Sequence, residues 1–421
     1  MKRISITWCL VLLLGSVSCV RQLDELVVPE VDVTSELAGA GRLDSVMGES
    51  AAGTYQATEG GGVFGDTVAV LWTGAGFSIV GRTNVLWCDL QAGSRSDTVV
   101  LIGRWRFTQG TANGIVRLRA VPDEGGRELA AGRNPGKKLV LRGTVTDNRD
   151  RNPRPVVLAW ERRNRNRLRG FYVIGHRGGA RNSDRLGVSE NSLEMLRLAP
   201  RLGCNAVEID VLLSKDGAPF VFHDARFSPR TVTGTYLLGP VNNFTAAQIS
   251  TVARLIHGER IPTLQQALQT IATETPLELV WIDVKEPEAI DTVLRTIVAA
   301  QKVLAASGRA GLRILVGLPT QDIYDAYAAH PLRQQVKAIC ELDADQATAI
   351  NAAVWAPRWT AGVQAATVQR MQGEGRQCFV WTLDDVDFID RFIAEGDFDG
   401  ILTNYPTLLA ATFYPKSGPQ P

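Results

Sequence analysis

Two histidines, three carboxylates and a lysine carry most of the chemical content of this 421-residue sequence. His176 directly follows an apolar run at 171–175. Glu208 and Asp210 alternate with Val207, Ile209 and Val211. Successive side chains of a strand point to opposite faces, so a period of two puts both acids on one side and the apolar residues on the other. Asp283 and Lys285 repeat the pattern, with Ile282 and Val284 between and before them. His223 closes another apolar run at 219–222. Carboxylates on an apolar strand are costly to bury unless a positive charge compensates them. A divalent cation that prefers hard oxygen ligands, Ca2+ or Mg2+, is the economical partner. An imidazole with an ordinary pKa of about 6.5 takes or gives a proton near neutrality, which suits a histidine pair to acid–base work.

Such residues need a frame that brings distant strand ends together. From Phe171 to Pro421 lie 251 residues, about the length of one (β/α)8 barrel. Apolar β runs fall at 171–175, 206–213, 219–222, 278–284, 312–317, 336–339, 377–382 and 400–403. Helical patterns lie between most of them, at 264–272, 289–306, 321–329, 363–371 and 386–395. This alternation predicts a parallel sheet, and eight strands predict its closure into a TIM barrel. Each polar residue has a plain structural reading: a buried acid can cap a helix, and a histidine can be a satisfied polar group. Their concurrence at several strand ends favours a site, because such barrels carry their chemistry at the C-terminal rim. His257 and His330 stand outside these runs and read as surface or structural.

The runs His176-Arg177-Gly178, Glu190-Asn191-Ser192, Glu208-Ile209-Asp210, Lys215-Asp216-Gly217 and His223-Asp224 resemble the glycerophosphodiester phosphodiesterase family in order and spacing. Ile261-Pro262-Thr263-Leu264, Asp283-Val284-Lys285, Val380-Trp381-Thr382 and the stretch from Asp399 to Pro406 extend the resemblance over about 171–412. It implies metal-dependent hydrolysis of a glycerophosphodiester to glycerol 3-phosphate and an alcohol. It further implies that Glu208, Asp210 and Asp283 hold the cation and that His176 and His223 form the acid–base pair, with the order of roles open. Arg177 and Lys285 would bind phosphate oxygens, and Glu190 would orient the ligand or the metal shell. Trp381 would pack against glycerol or an acyl chain, or else serve as a core tryptophan. Two departures from the family stand out. It more often has Glu where Asp283 stands, and the segment 180–188 is longer and more polar than usual. Phospholipase C- or D-like cleavage of lipid or lysolipid head groups remains an alternative on the same barrel, as does a non-catalytic envelope binding protein.

The first half has a different texture. Between 49 and 160, short alternating runs at 67–71, 77–80, 99–107, 115–121, 138–144 and 155–160 are broken by Gly, Asn and Asp. They predict a smaller all-β sandwich or barrel, faintly similar to a lipocalin. Residues 20–48 read as a polar tether, and the Arg-rich 161–170 as an interdomain linker. At the very start, Lys2 and Arg3 precede a short apolar stretch and the small residues Ser16-Val17-Ser18 before Cys19. This is the pattern of a lipoprotein-type signal over 1–19, and it predicts export, lipidation at Cys19 and a lipid anchor in a bacterial cell envelope. The balance of 45 Lys+Arg against 44 Asp+Glu leaves +1 and no global field to gather nucleic acid. With 45% hydrophobic and 21% charged residues, the chain can bury large cores, which argues against disorder.

Overall fold

A computed structural model describes residues 29–148, 152–164, 170–181, 186–234 and 237–416. The expected signal segment and Cys19 lie outside the described residues, as do residues 165–169 of the Arg-rich run. The chain forms two closed barrels in succession.

The first is an up-and-down antiparallel barrel. Its strands are β1 Gly53–Glu59, β2 Thr67–Trp72, β3 Phe77–Gly81, β4 Leu86–Arg95, β5 Thr98–Phe107, β6 Asn113–Ala120, β7 Val140–Asp147 and β8 Arg154–Arg162. Each pairs with its sequence neighbour, and β8 returns to β1 through Tyr55↔Trp160. Closure leaves no free sheet edge. The alternation read from the sequence sends one face inward: Tyr55, Phe77 and Trp105 are almost wholly buried in a filled interior. Trp105 also donates its indole N–H to the carbonyl of Thr146 at 2.9 Å.

The described part of the expected tether packs on this barrel. Gly41 and Arg42 pair with Ser94 and Gly93 on β4. Arg117 donates to the Glu36 carboxylate from Nε at 2.9 Å, and Met47 enters the interior cluster. Likewise Arg162, expected in the linker, ends β8 and donates to Thr54 Oγ1 at 3.0 Å.

The second barrel is parallel and eight-stranded. Its staves are β9 Tyr172–Gly175, β10 Ala206–Leu213, β11 Leu279–Val284, β12 Arg313–Leu318, β13 Ala338–Cys340, β14 Val354–Trp355, β15 Gln377–Val380 and β16 Gly400–Thr403. They neighbour one another in chain order, and β9 closes the ring by pairing with both β16 and β10. The helices that follow the staves are α1 Leu193–Leu198, α2 Leu264–Glu274, α3 Ile290–Ala306, α4 Gln321–Ala329, α5 Ala344–Ala349, α6 Ala365–Gly373, α7 Val386–Glu395 and α8 Pro406–Phe413. Thr263 and Asp343 open α2 and α5 with capping boxes to Gln266 and Gln346, satisfying otherwise orphaned N–H groups.

One expected stave is not one. Pro219–Val221 folds back antiparallel on β10, with Val211 opposite Val221. Its place in the count of eight is taken by the sixth stave, Val354–Trp355, two residues long and without the extended apolar run that marks the others. The inner layer holds Ile174, Ala206, Trp281, Leu315, Ile339 and Phe379, while Val207, Ile209, Ile282 and Val316 face the helices.

The two barrels share apolar surface. Ala69 and Val80, on the outer wall of the first, belong to one buried cluster with Ala410 and Ala411 of α8. Ser78 Oγ and Trp87 Nε1 both donate to the carbonyl of Arg201, at 2.6 and 2.7 Å.

Candidate active site

The inward-facing acids meet at the C-terminal rim of the parallel barrel. Asp210 and Asp283 sit side by side in register on β10 and β11, and Glu208 lies one inward position below Asp210. One carboxylate oxygen from each of Glu208, Asp210 and Asp283 falls within 4.8 Å of the others. Lys285 Nζ closes on Asp210 at 2.7 Å and on Asp283 at 2.5 Å. Glu208 and Asp210 are buried, yet Glu208 Oε1 and Asp283 Oδ1 accept no hydrogen bond. Buried carboxylate oxygens without a donor are costly, and three acids facing one lysine leave two negative charges uncompensated. Divalent Ca2+ or Mg2+ matches both the charge and the all-oxygen donor set. The shorter Asp283 reaches the cluster as well as a glutamate needs to.

The electrostatics agree with an anionic hole. Burial pushes the Glu208 carboxyl well above its usual range, and Asp210 and Asp283 push it further. Burial also raises Asp283, with Lys285 pulling against it and Asp210 adding to the rise. Asp210 ends below the usual carboxylate range: burial works against this, but Lys285 and then the two histidines outweigh it.

His176 follows β9, and its ring is held from one side. Its Nδ1 lies 2.6 Å from Asn404 Oδ1, just beyond β16. The Asn404 amide is itself oriented, because its Nδ2 donates to Asp384 Oδ2 at 2.6 Å and its backbone N–H to Asp384 Oδ1 at 2.8 Å. With the amide oxygen thus turned to the ring, His176 Nδ1 carries the hydrogen and Nε2 keeps its lone pair, 3.8 Å from Glu208 Oε2. Burial lowers the His176 pKa to about 4, against the pull of Asp210.

Arg177 sits in the left-handed region at φ 56°, an expensive conformation for a non-glycine residue. This turn aims its backbone N–H at Glu208 Oε2, 2.8 Å away, while Nη1 donates to Glu190 Oε1 at 2.8 Å. Its Nε–H is buried with no acceptor. Asn191, also left-handed at φ 59°, donates from Nδ2 to Asp210 Oδ2 at 2.7 Å.

His223 reaches the rim on the folded-back strand. The N–H of Phe222 donates to the Asp210 carbonyl at 3.0 Å, which anchors the chain one residue away. His223 Nδ1 donates to Asp224 Oδ1 at 2.8 Å, and Arg230 Nη2 holds the other Asp224 oxygen at 2.7 Å. Burial raises the Asp224 pKa, but hydrogen bonds from Arg230 and His223 outweigh it and leave the carboxyl below its ordinary range. Arg230 also reaches Glu190 at 3.3 Å, so the acids and bases around both histidines form one network.

Trp381 tops the inner layer. It donates its indole N–H to the Ala356 carbonyl at 2.8 Å and carries the Arg358 guanidinium 4.5 Å above its ring. Every residue expected at the site from the second half is therefore on or beside one rim. His257 meets the segment leading to Glu190 through its backbone N–H, on Ser189 Oγ at 3.0 Å, and His330 bonds Asp291 on α3 at 3.0 Å. Asn191, Asp224 and Asn404 lie inside the motif runs, where spacing alone assigns them no role. Arg230 and Asp384 carry no sequence signal beyond their type.

Residues 176–408 match the model of the glycerophosphoryl diester phosphodiesterase family. A protein of Mycobacterium tuberculosis named probable glycerophosphodiester phosphodiesterase 2 is 30% identical over 259 residues, covering 57% of this chain and 89% of the relative. A glycerophosphodiester phosphodiesterase of Caldanaerobacter subterraneus subsp. tengcongensis is 28% identical over 270 residues, covering 56% of this chain and 95% of the relative. Among solved structures, a phosphodiesterase of Oleispira antarctica in complex with sn-glycerol-3-phosphate is similar over 56% of this chain and 95% of its own, at 24% identity and a TM-score of 0.45.

Proposed function

Because the chain belongs to the glycerophosphoryl diester phosphodiesterase family, we propose that it hydrolyses glycerophosphodiesters to glycerol 3-phosphate and an alcohol, using one divalent cation and the pair His176 and His223. The observation that carries this is the convergence of Glu208, Asp210 and Asp283 within 4.8 Å, beside a histidine whose free nitrogen faces them. These three carboxylates would hold Ca2+ or Mg2+, which when bound offsets the charge of the phosphodiester and of its transition state.

The remaining work belongs to side chains. Arg177, with its unpaired Nε–H, and Lys285, with its third N–H, bind phosphate oxygens. Glu190 holds both Arg177 and Arg230 in place. His176 is largely buried, neutral and fixed by Asn404 with its lone pair on Nε2, so it takes a proton from the attacking water as the water oxygen bonds to phosphorus and the P–O bond to the alcohol breaks. His223 has its Nδ1–H held by the Asp224 carboxylate, which orients the ring and turns Nε2 toward the reacting group. It returns a proton from Nε2 to the departing alkoxide. Trp381 offers an aromatic edge at the same rim for the substrate's apolar part.

The test is parallel assay of glycerophosphocholine, glycerophosphoethanolamine and a lysophospholipid, with and without EDTA. Glycerophosphocholine or glycerophosphoethanolamine turning over only without chelator is the expected result. Turnover indifferent to EDTA speaks against the cation, and preference for the lysophospholipid supports the phospholipase-like alternative. At the other end of the chain, Cys19 is proposed to carry a lipid that holds the exported protein to the envelope membrane. A Cys19→Ser protein would then leave the membrane fraction, and the mass of the mature N-terminus would lose the lipid.

A further inference from the structure

Two arginines of the rim share one acid. Arg177 Nη1 donates to Glu190 Oε1 at 2.8 Å, and Arg230 Nη2 donates to the same oxygen at 3.3 Å. A shared acceptor serves both donors only from a fixed place, because a shift toward one is a loss at the other. The residue before it supplies the fixing. Ser189 is wholly buried, and both its backbone and its side chain are engaged by Glu259. The Ser189 N–H donates to Glu259 Oε1 at 2.9 Å, and Ser189 Oγ donates to Glu259 Oε2 at 2.7 Å. The same Oγ accepts the His257 backbone N–H at 3.0 Å. A carboxylate that takes two parallel bonds from one residue sets its orientation as well as its distance.

Glu259 is itself held in a tight turn. The Leu255 N–H donates to the Glu259 carbonyl at 2.8 Å, and Gly258 supplies the left-handed residue at φ 99°. This turn is bonded to the Arg230 segment too. Leu255 lies opposite Val232, and the Thr233 N–H donates to the Arg254 carbonyl at 2.9 Å. One short loop therefore grips the residue just before Glu190 and the residues just after Arg230. It brings the shared acid and one of its arginines to the rim as a unit. Through Arg230 the unit extends to Asp224, whose other oxygen accepts from His223 Nδ1.

We propose that Glu259 is a positioning residue of the phosphate site: by clamping Ser189 it fixes the Glu190 carboxylate, which presents the Arg177 guanidinium to the phosphate and steadies Arg230 behind Asp224 and His223. The inference rests on the phosphodiesterase reading above and adds to it a residue that acts without touching the substrate.

The test measures kcat and KM on whichever of the three diesters above turns over, with the divalent cation present. The proteins are the wild type, Glu259→Ala, Glu259→Gln and Ser189→Ala, and calorimetry gives the Kd of glycerol 3-phosphate for each. Glu259→Ala is expected to raise KM and that Kd about five- to tenfold and to lower kcat about tenfold. Gln keeps an acceptor for the Ser189 N–H and a donor for its Oγ, and restores all three values to within about twofold. In a Glu190→Gln background, Glu259→Ala costs less than about twofold further in kcat/KM, because the group it acts through is already altered. The same factor in both backgrounds, or a Glu259→Ala protein with wild-type KM and Kd, overturns the positioning role. So does a fall in kcat alone that follows the folded fraction seen by circular dichroism, which is the mark of a merely structural residue. Should Glu259→Ala fail to fold, Ser189→Ala carries the test: it removes the hydroxyl and keeps the N–H, and a KM raised at least about threefold supports the clamp while an unchanged KM overturns it. Variants that match an active wild type leave diester hydrolysis standing. A wild type that turns over none of the three diesters sinks the phosphodiesterase reading and the positioning role with it.

Discussion

Glu208 is the residue whose environment most clearly anticipates a cation. Burial and two neighbouring carboxylates hold it toward the protonated form, and glutamine is the neutral isostere of that form. Glu208→Gln should therefore keep the melting temperature of the metal-free protein, since Gln still accepts the Arg177 N–H. It should also abolish stabilisation by Ca2+ or Mg2+, which for the wild type reaches about 2.7 kcal/mol at a hundredfold excess over Kd. Thermal melts with and without the ion check this, and a shift that survives the substitution puts the ion elsewhere. Asp384 acts at one remove. Without it the Asn404 amide is free to turn, and a ring facing an N–H must put its own proton on Nε2, the wrong nitrogen for a base. Asp384→Ala should lower kcat about 10- to 100-fold with KM within about twofold; a change in KM with kcat intact contradicts the positioning role. His176 also makes a pH-dependent contribution to folding. Its folded pKa, about 4, lies below the ordinary value, so the unfolded chain binds the extra proton first. The stability it contributes is fully present above about pH 6.5 and is lost as pH falls toward 4, by up to about 3 kcal/mol. Denaturant melts of metal-free wild type and His176→Gln at pH 7 and 4.5 should show the wild type losing more; parallel losses contradict it.

At the scale of elements, the site depends on the two-residue period of staves β10 and β11. In each, alternate residues pack under the helices and the rest reach the rim, so a slip of one residue would bury the acids among aliphatic side chains. The seam under α8 is equally strict. Gly203 lies in the left-handed region at φ 98°, and a Cβ there would stand 2.5 Å from the Ala410 Cβ. Gly203→Ala therefore combines backbone strain with overpacking and should cost about 2–4 kcal/mol. Urea unfolding measures it, and a loss below about 0.5 kcal/mol contradicts the fit.

For the whole molecule, the first barrel is a brace on the second. Trp87 donates to the Arg201 carbonyl and packs beside Leu186 and Val188, in the long segment that leads from His176 to Glu190. Its interior is filled by its own side chains, so its outer wall is the surface it offers to the rest of the chain. Trp87→Ala should lower overall stability by about 2–3 kcal/mol and separate one unfolding transition into two. Calorimetry distinguishes this from a local loss, in which a single transition shifts down intact.

Much of the barrel was readable in the chain because period-two alternation and strand–helix alternation are local patterns. They located the extended runs and the inward acids Glu208, Asp210 and Asp283, while the order of the motifs carried the resemblance to the family. The stave Val354–Trp355 was not readable, because two residues have no period, and Pro219–Val221 imitated a stave because pairing direction is not written in composition. Nor could spacing alone turn an aspartate at 384 toward an asparagine at 404, or set the Trp281 indole against Gly317 of the neighbouring stave. Those contacts join residues from different staves, and their distances exist only once the ring has closed. Sequence determines which faces each strand must hide; which hidden faces meet, and what they leave unsatisfied, is decided by closure.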